Sequence, residues 1–220
     1  MASERRKALD VKKLIEGEFE VKFIEGYNLF HVKFYGPDDT LYKNGVWKIQ
    51  VQLPANYPRN PPAINFLNRI YHPNIDALFG TICLDLLNEH WCAKYNLNNV
   101  FDHFLPSLLL QPNPTDALNK KAADLYLHQP ENYLKRVASY IDLYATEEIL
   151  SKFVPKEPTE SDISDDEGPL EGYPEKSETD GNDENAVKNF PETLETIKAI
   201  CMEIEQSTSK ASSDVNCDQK

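Results

Sequence analysis

The sequence predicts an α+β domain followed by an acidic extension, and three observations carry that expectation. Apolar periodicity runs in the order helix, four strands, a long irregular stretch and three helices, the pattern of helices packed on one face of an antiparallel sheet. The breaks between strands (EGYN, GPDDTLYKN, PANYPRNPP) are turn chemistry, so the strands form a meander. Composition changes near residue 150. Residues 1–150 hold 16 Lys+Arg against 18 Asp+Glu, whereas residues 151–220 hold 7 against 18, and only Phe153, Tyr173 and Phe190 are aromatic beyond the break. A segment that acidic and that poor in large apolar groups buries too little surface to offset its ordering entropy. The expected organisation is a folded domain over 1–150 and a mostly disordered acidic tail over 151–220.

Residues 4–16 place Leu9, Val11, Leu14 and Ile15 among charges, an amphipathic helix ended by Gly17. Phe19–Ile24 and Gly45–Leu53 alternate as half-buried strands, Leu29–Tyr35 is aromatic and β-branched, and Ala63–Leu67 is a short fourth strand. Residues 68–96 have no sustained period, and so long an irregular stretch in a compact domain is usually functional. Asn98–Leu110 reads as a very apolar helix, and helical patterns follow at Lys120–His128 and Pro130–Leu150, with Pro130 in a first turn and His128 or Gln129 near the cap.

A net charge of −13 argues against nucleic acid, whose phosphates need Lys/Arg clusters, and favours basic partners. No apolar run approaches the ~20 residues of a membrane span, and MASERRKALDVKKL lacks the apolar core of a secretory signal. Cys83, Cys92, Cys201 and Cys217 show no framework spacing, so a reduced cytoplasmic and nuclear setting is expected.

The irregular stretch contains His72-Pro73-Asn74, then Cys83-Leu84-Asp85, then Trp91. With YPRNPP (57–62), RIYHPN (69–74), GTICLDLL (80–87) and PNPTDALN (112–119), in that order, the chain closely resembles the ubiquitin-conjugating (E2) enzymes over about residues 5–150. VKFYGP, HPNID before GTICLD, and YLHQPENY with YATEE look like the histone-ubiquitinating subgroup that serves the GID/CTLH-type ligase and also ends in an acidic tail. The resemblance implies the E2 fold and a transferase that accepts ubiquitin from the activating enzyme (E1) as a thioester on Cys83. A ligase (E3) then assists its passage to a substrate lysine, basic proteins such as histones included. No cofactor is implied, since ATP enters the pathway at the activating enzyme. Two alternatives stand beside this reading: a relative of ubiquitin as the modifier, and a non-catalytic ubiquitin-binding module, although such modules lack the cysteine.

The chemistry agrees from the residues upward. Asp85 beside Cys83 raises rather than lowers a thiol pKa, which suits a carrier whose thioester must outlast water. Asn74 supplies a neutral amide, either as an oxyanion donor when the amine attacks or as a brace for the loop that holds Cys83. His72 is read as fixing the loop through a ring hydrogen bond, with general base as the rival role, and Pro73 as part of that scaffold. Asp116 in the PNPTDA turn either orients the incoming lysine or serves an Asx turn, and Asp85 is a second candidate for the first task. Asn113, Leu118 and Trp91 are structural expectations, with Leu118 also a candidate ubiquitin contact.

The two ligase-facing loops depart from the family pattern. Arg59 stands where Phe is common, and Trp91-Cys92-Ala93-Lys94 replaces Trp-Ser-Pro-Ala. Loss of the aromatic anchor disfavours HECT-type ligases and leaves a RING-type partner. Zinc held by Cys83, His90, Cys92 and His103 fits no usual spacing, and no metal is expected. In the tail, Ser161 and Ser164 lie either in an acid-directed kinase pattern or in a merely solvated acidic run. Residues 191–205 space apolar groups as an amphipathic helix that needs a surface to fold on, a partner's or that of the domain itself, or else has no role.

Overall fold

The computed structural model describes residues 2–82 and 91–155. Helix α1 (Ala2–Glu16) leads into a four-stranded antiparallel meander, β1 (Val21–Glu25), β2 (Leu29–Tyr35), β3 (Val46–Gln52) and β4 (Ala63–Phe66), in the order β1-β2-β3-β4. Alternation along β2 and, after buried Val46, along β3 sends Phe30, Val32, Phe34, Trp47, Ile49 and Val51 into the core and leaves His31, Lys33, Lys48 and Gln50 on the outer face. The predicted α+β class and meander are what the chain adopts, with strand ends moved by one or two residues.

The face of α1 differs from the expected one. Leu9 and Ile15 are exposed, and the buried stripe is Lys7, Asp10, Val11 and Leu14, which follows the i, i+3, i+4, i+7 rule with charges in two positions. Those charges survive burial because they are partnered. The Lys7 ammonium donates to Asn28 Oδ1 (2.6 Å) and pairs with Glu4 (3.0 Å), while Asp10 accepts from Arg6 and Tyr57. Beyond Gly17 it is Glu18, at φ 66°, that takes the left-handed conformation and turns the chain.

The C-terminal half packs as helices around Leu97, Leu105, Tyr126, Tyr133 and Val137. Helix α2 is composite: Leu97–Asn99 passes through a π-helical stretch, Val100–Phe104, into Leu105–Leu110. The cause is Pro106, which has no N–H for the Asp102 carbonyl and whose ring would crowd it, so the helix widens just ahead of it. Helix α3 (Lys120–His128) is capped by the Asn119 side chain on the Ala122 N–H (3.0 Å).

The single helix expected over Pro130–Leu150 is instead two, α4 (Pro130–Tyr144) and α5 (Glu147–Lys152). The chain breaks at buried Ala145, whose carbonyl accepts from Val46 N–H at the start of β3 (2.7 Å), and Thr146 then caps α5. Asn68 reinforces the junction, accepting from Lys48 N–H and donating to the Val46 and Tyr144 carbonyls. Among the described residues no helix is long and apolar enough to cross a membrane. The tail features expected beyond residue 155, namely Ser161, Ser164 and the helix over 191–205, lie outside the described residues, as do Cys83 and Asp85.

Candidate active site

The irregular stretch is anchored before it reaches its cysteine. Tyr42 donates its hydroxyl hydrogen bond to the Tyr71 carbonyl (2.7 Å) and meets the Tyr133 hydroxyl (2.8 Å), fixing the chain just ahead of His72. His72 is fully buried. Its Nε2–H donates to the Leu108 carbonyl in α2 (3.0 Å), and its Nδ1 accepts from the Asn74 N–H (3.0 Å). One donor and one acceptor define a neutral imidazole, and burial pushes its pKa down to about 4 against the raising effect of the Leu108 bond. Both ring nitrogens are engaged, so neither faces a substrate proton.

Asn74 is likewise fully buried, and its side chain joins two loops. Nδ2 donates to the Asn113 carbonyl (2.6 Å) and the Asp116 carbonyl (2.9 Å), and Oδ1 accepts from Asn113 N–H (2.8 Å). Both amide hydrogens are spent on the turn. The turn itself, a 3-10 segment Pro114–Asp116, is capped by Asn113, whose Oδ1 accepts from the Thr115 N–H and hydroxyl. Pro73 completes the clamp by accepting from the Asn119 N–H (2.9 Å), which ties it to the start of α3. Asp116 and Leu118 stand exposed at the surface of this turn.

The chain then returns toward position 83. Gly80 adopts φ +63°, and a Cβ there would lie 1.9 Å from the Phe66 carbonyl oxygen, so only glycine lets the segment close on β4. Phe66 N–H donates to Gly80 O (2.8 Å), Thr81 bridges Asn65, and Ile82 bridges Ile75. Ile82 is the last described residue before Cys83, and its bridge partner is the residue after Asn74. The described chain thus brings Ile82, the residue before Cys83 in sequence, beside the clamp.

The two expected ligase-facing loops are joined to each other and to α1. Trp91 donates its indole N–H to the Pro58 carbonyl (2.9 Å) and packs on Tyr57 and Tyr95. Arg6 reaches the Ala93 and Tyr95 carbonyls (3.4 and 2.7 Å) and the Asp10 carboxylate (2.7 Å), which also accepts from the Tyr57 hydroxyl (2.7 Å). Arg59, Cys92, Ala93 and Lys94 are exposed on the resulting surface. Arg6, Asp10, Tyr42 and Asn119 carry these supports and were missed in the sequence, where only the PNPTDALN motif hinted at Asn119. Among the described residues no three His, Cys, Asp or Glu side chains gather as metal ligands.

Residues 3–141 match the family described as ubiquitin-conjugating enzyme. The chain belongs to that family. It is 41% identical over 184 residues to ubiquitin-conjugating enzyme E2 5 of Arabidopsis thaliana, covering 83% of this chain and 93% of the relative. It is 47% identical over 148 residues to ubiquitin-conjugating enzyme E2-24 kDa of Saccharomyces cerevisiae, 67% of this chain and 68% of that one. Its fold resembles the crystal structure of a Plasmodium yoelii chain assigned as a ubiquitin conjugating enzyme, with a TM-score of 0.60, 25% identity and coverage of 66% and 97% of the two chains. The protein is therefore an E2 transferase of the ubiquitin conjugation pathway, whose family implies ubiquitin, an E1 and an E3 as partners.

Proposed function

We propose that Cys83 receives ubiquitin from E1 by thiol exchange and holds it as a thioester until a substrate lysine attacks. The observation that carries this reading is the Asn74 clamp, which joins the loop preceding Cys83 to the Asn113–Asp116 turn. In the transfer step the lysine nitrogen forms a bond to the thioester carbon, the C–S bond breaks, the amine loses a proton and Cys83 leaves as thiolate. Asn74 serves this step by holding the turn, and Asp116 serves it by orienting the amine or accepting its proton. A direct oxyanion contact from Asn74 requires one Nδ2–H to leave a backbone carbonyl. Asp85 shares the candidate role of Asp116.

The partner reading is a RING-type E3 of the GID/CTLH kind, supported by Arg59 in place of the aromatic anchor and by the exposed 92–94 loop. The acidic residues beyond 150 attract basic substrates such as histones, in cytoplasm and nucleus. A charging assay tests the core of the proposal. With E1, ATP and ubiquitin, Cys83→Ser should trap a reductant-resistant oxyester and Cys83→Ala nothing. Normal charging of Cys83→Ala, with loss in Cys92→Ala, would overturn it.

A further inference from the structure

We propose that the acidic segment 157–167 docks in cis on the outer face of the sheet, over Lys22, His31 and Lys48. Strand register sets Lys22 opposite His31 and Lys33 opposite Lys48. Lys33 and Lys48 are like charges directly opposite one another on a sheet face, an arrangement that costs stability. Burial and then Lys22 hold the Lys48 ammonium below its ordinary pKa. His31 is lowered by burial first, opposed by a hydrogen bond with Gln50, with Lys48 and Lys22 adding to the lowering.

The described chain neutralises only part of this cluster. Lys33 pairs with Glu147 (2.6 Å) and Glu20 (3.5 Å), whereas among the described residues no ion pair reaches Lys22 or Lys48. Beside them lies a groove of about 510 Å³ lined by Lys22, His31 and Lys48, by Glu20 and Glu147, which are engaged by Lys33, and by Leu150 and Ser151 of α5.

The exit of the chain from α5 supplies the occupant. Lys48 Nζ donates to the Phe153 carbonyl (3.3 Å) and sits 5.4 Å from the centre of the Phe153 ring. After Pro155 come Lys156 and then EPTESDISDDE (157–167), which has six carboxylates and no cation. At about 3.3 Å per extended residue it is long enough to cross four strands spaced ~4.8 Å apart. The tether makes the encounter intramolecular, and phosphate on Ser161 or Ser164 strengthens it. Residues 168–220 keep 12 Asp+Glu against 5 Lys+Arg for other basic partners. The inference does not depend on the catalytic reading.

Zero-length carbodiimide coupling of the full, unphosphorylated chain, mapped by mass spectrometry, tests it. Yields at each lysine are normalised to that lysine's acetylation rate. Links from 157–167 to Lys22 and Lys48 should exceed those to the exposed Lys120 and Lys135 about tenfold at low salt. They should approach parity near ~1 M salt, where the Debye length is about 3 Å, and survive dilution of the protein. Equal normalised yields at all four lysines would overturn the proposal, and so would links that vanish on dilution, which would place a second copy on the face.

Discussion

The clamp around Asn74 and the loop pair around Trp91 are both irregular segments pinned against helices, but the bonds that pin them differ in kind. Around Asn74 every bond is neutral: two side-chain amides, an uncharged imidazole and backbone groups, with His72 and Asn74 fully buried. Around Trp91 the hub is ionic, with Asp10 shared by Arg6 and Tyr57 and the loop residues exposed. The contrast matches the tasks proposed for the two regions. A thioester carrier gains nothing from a strong local charge that would acidify its thiol or draw a proton at the wrong step. A partner surface gains a fixed backbone, here tied down by Arg6, from which Arg59 and Lys94 are displayed.

This division can be broken from either side. The largest effect is expected from Asn74→Ala, which removes all three side-chain bonds of the clamp. Discharge of the charged enzyme to free lysine should slow by ~10–1,000-fold, the cost of a displaced reactive geometry or a lost donor. Charging by E1 should stay within about twofold, since thiol exchange needs no amine-orienting turn. A charging defect as large as the discharge defect would mean that the loop has collapsed.

On the ionic side, Asp10→Ala leaves Arg6 without its carboxylate and the buried Tyr57 hydroxyl without its acceptor. A loss of about 3 kcal/mol of unfolding free energy is expected, together with weaker E3 binding, while lysine discharge below the unfolding transition stays near wild type. Denaturant unfolding and a ligase-binding titration measure the two parts. Unchanged stability would remove Asp10 from its place as the hub.

A further effect is on pH dependence. His72 has a folded pKa of about 4 against an ordinary 6.5, so the unfolded chain binds its proton first as pH falls. The stability linked to a neutral His72 is fully present above 6.5 and drains away toward pH 4, with a slope approaching about 1.4 kcal/mol per pH unit between those values. His31, also lowered, contributes in the same direction. His72→Gln should be less stable at neutral pH but show a shallower decline below pH 6.5. Equal slopes in the two proteins would show that His72 is not the group responsible.

Much of this arrangement was legible in the sequence, for reasons that particular residues make plain. The meander was readable because alternation in GVWKIQVQL is a one-strand property that the sheet merely uses. HPN, ICLD, Trp91 and PNPTDA pointed to the site through the order in which they match the family pattern, since His72, Asn74 and Trp91 taken singly are scaffold residues as well. The details that escaped depend on contacts distant in sequence. The break at Ala145 exists because its carbonyl meets Val46, about a hundred residues earlier. Leu9 and Ile15 look like a helix face until Lys7 and Asp10 find Asn28 and Tyr57. Asn74 could be named, but the carbonyls that occupy its amide belong to Asn113 and Asp116, and backbone acceptors leave no mark in a residue pattern.

The most direct test of the central claim, that Asn74 acts through the turn bearing Asp116, is a double-mutant cycle on single-turnover lysine discharge. Asn74→Ala, Asp116→Ala and the double variant are each charged with ubiquitin and chased with free lysine. If Asn74 works by holding Asp116 in place, the double variant should be no more than about twofold slower than the slower single variant. Losses that multiply across the cycle would contradict the account and assign Asn74 an independent contact with the reacting carbonyl.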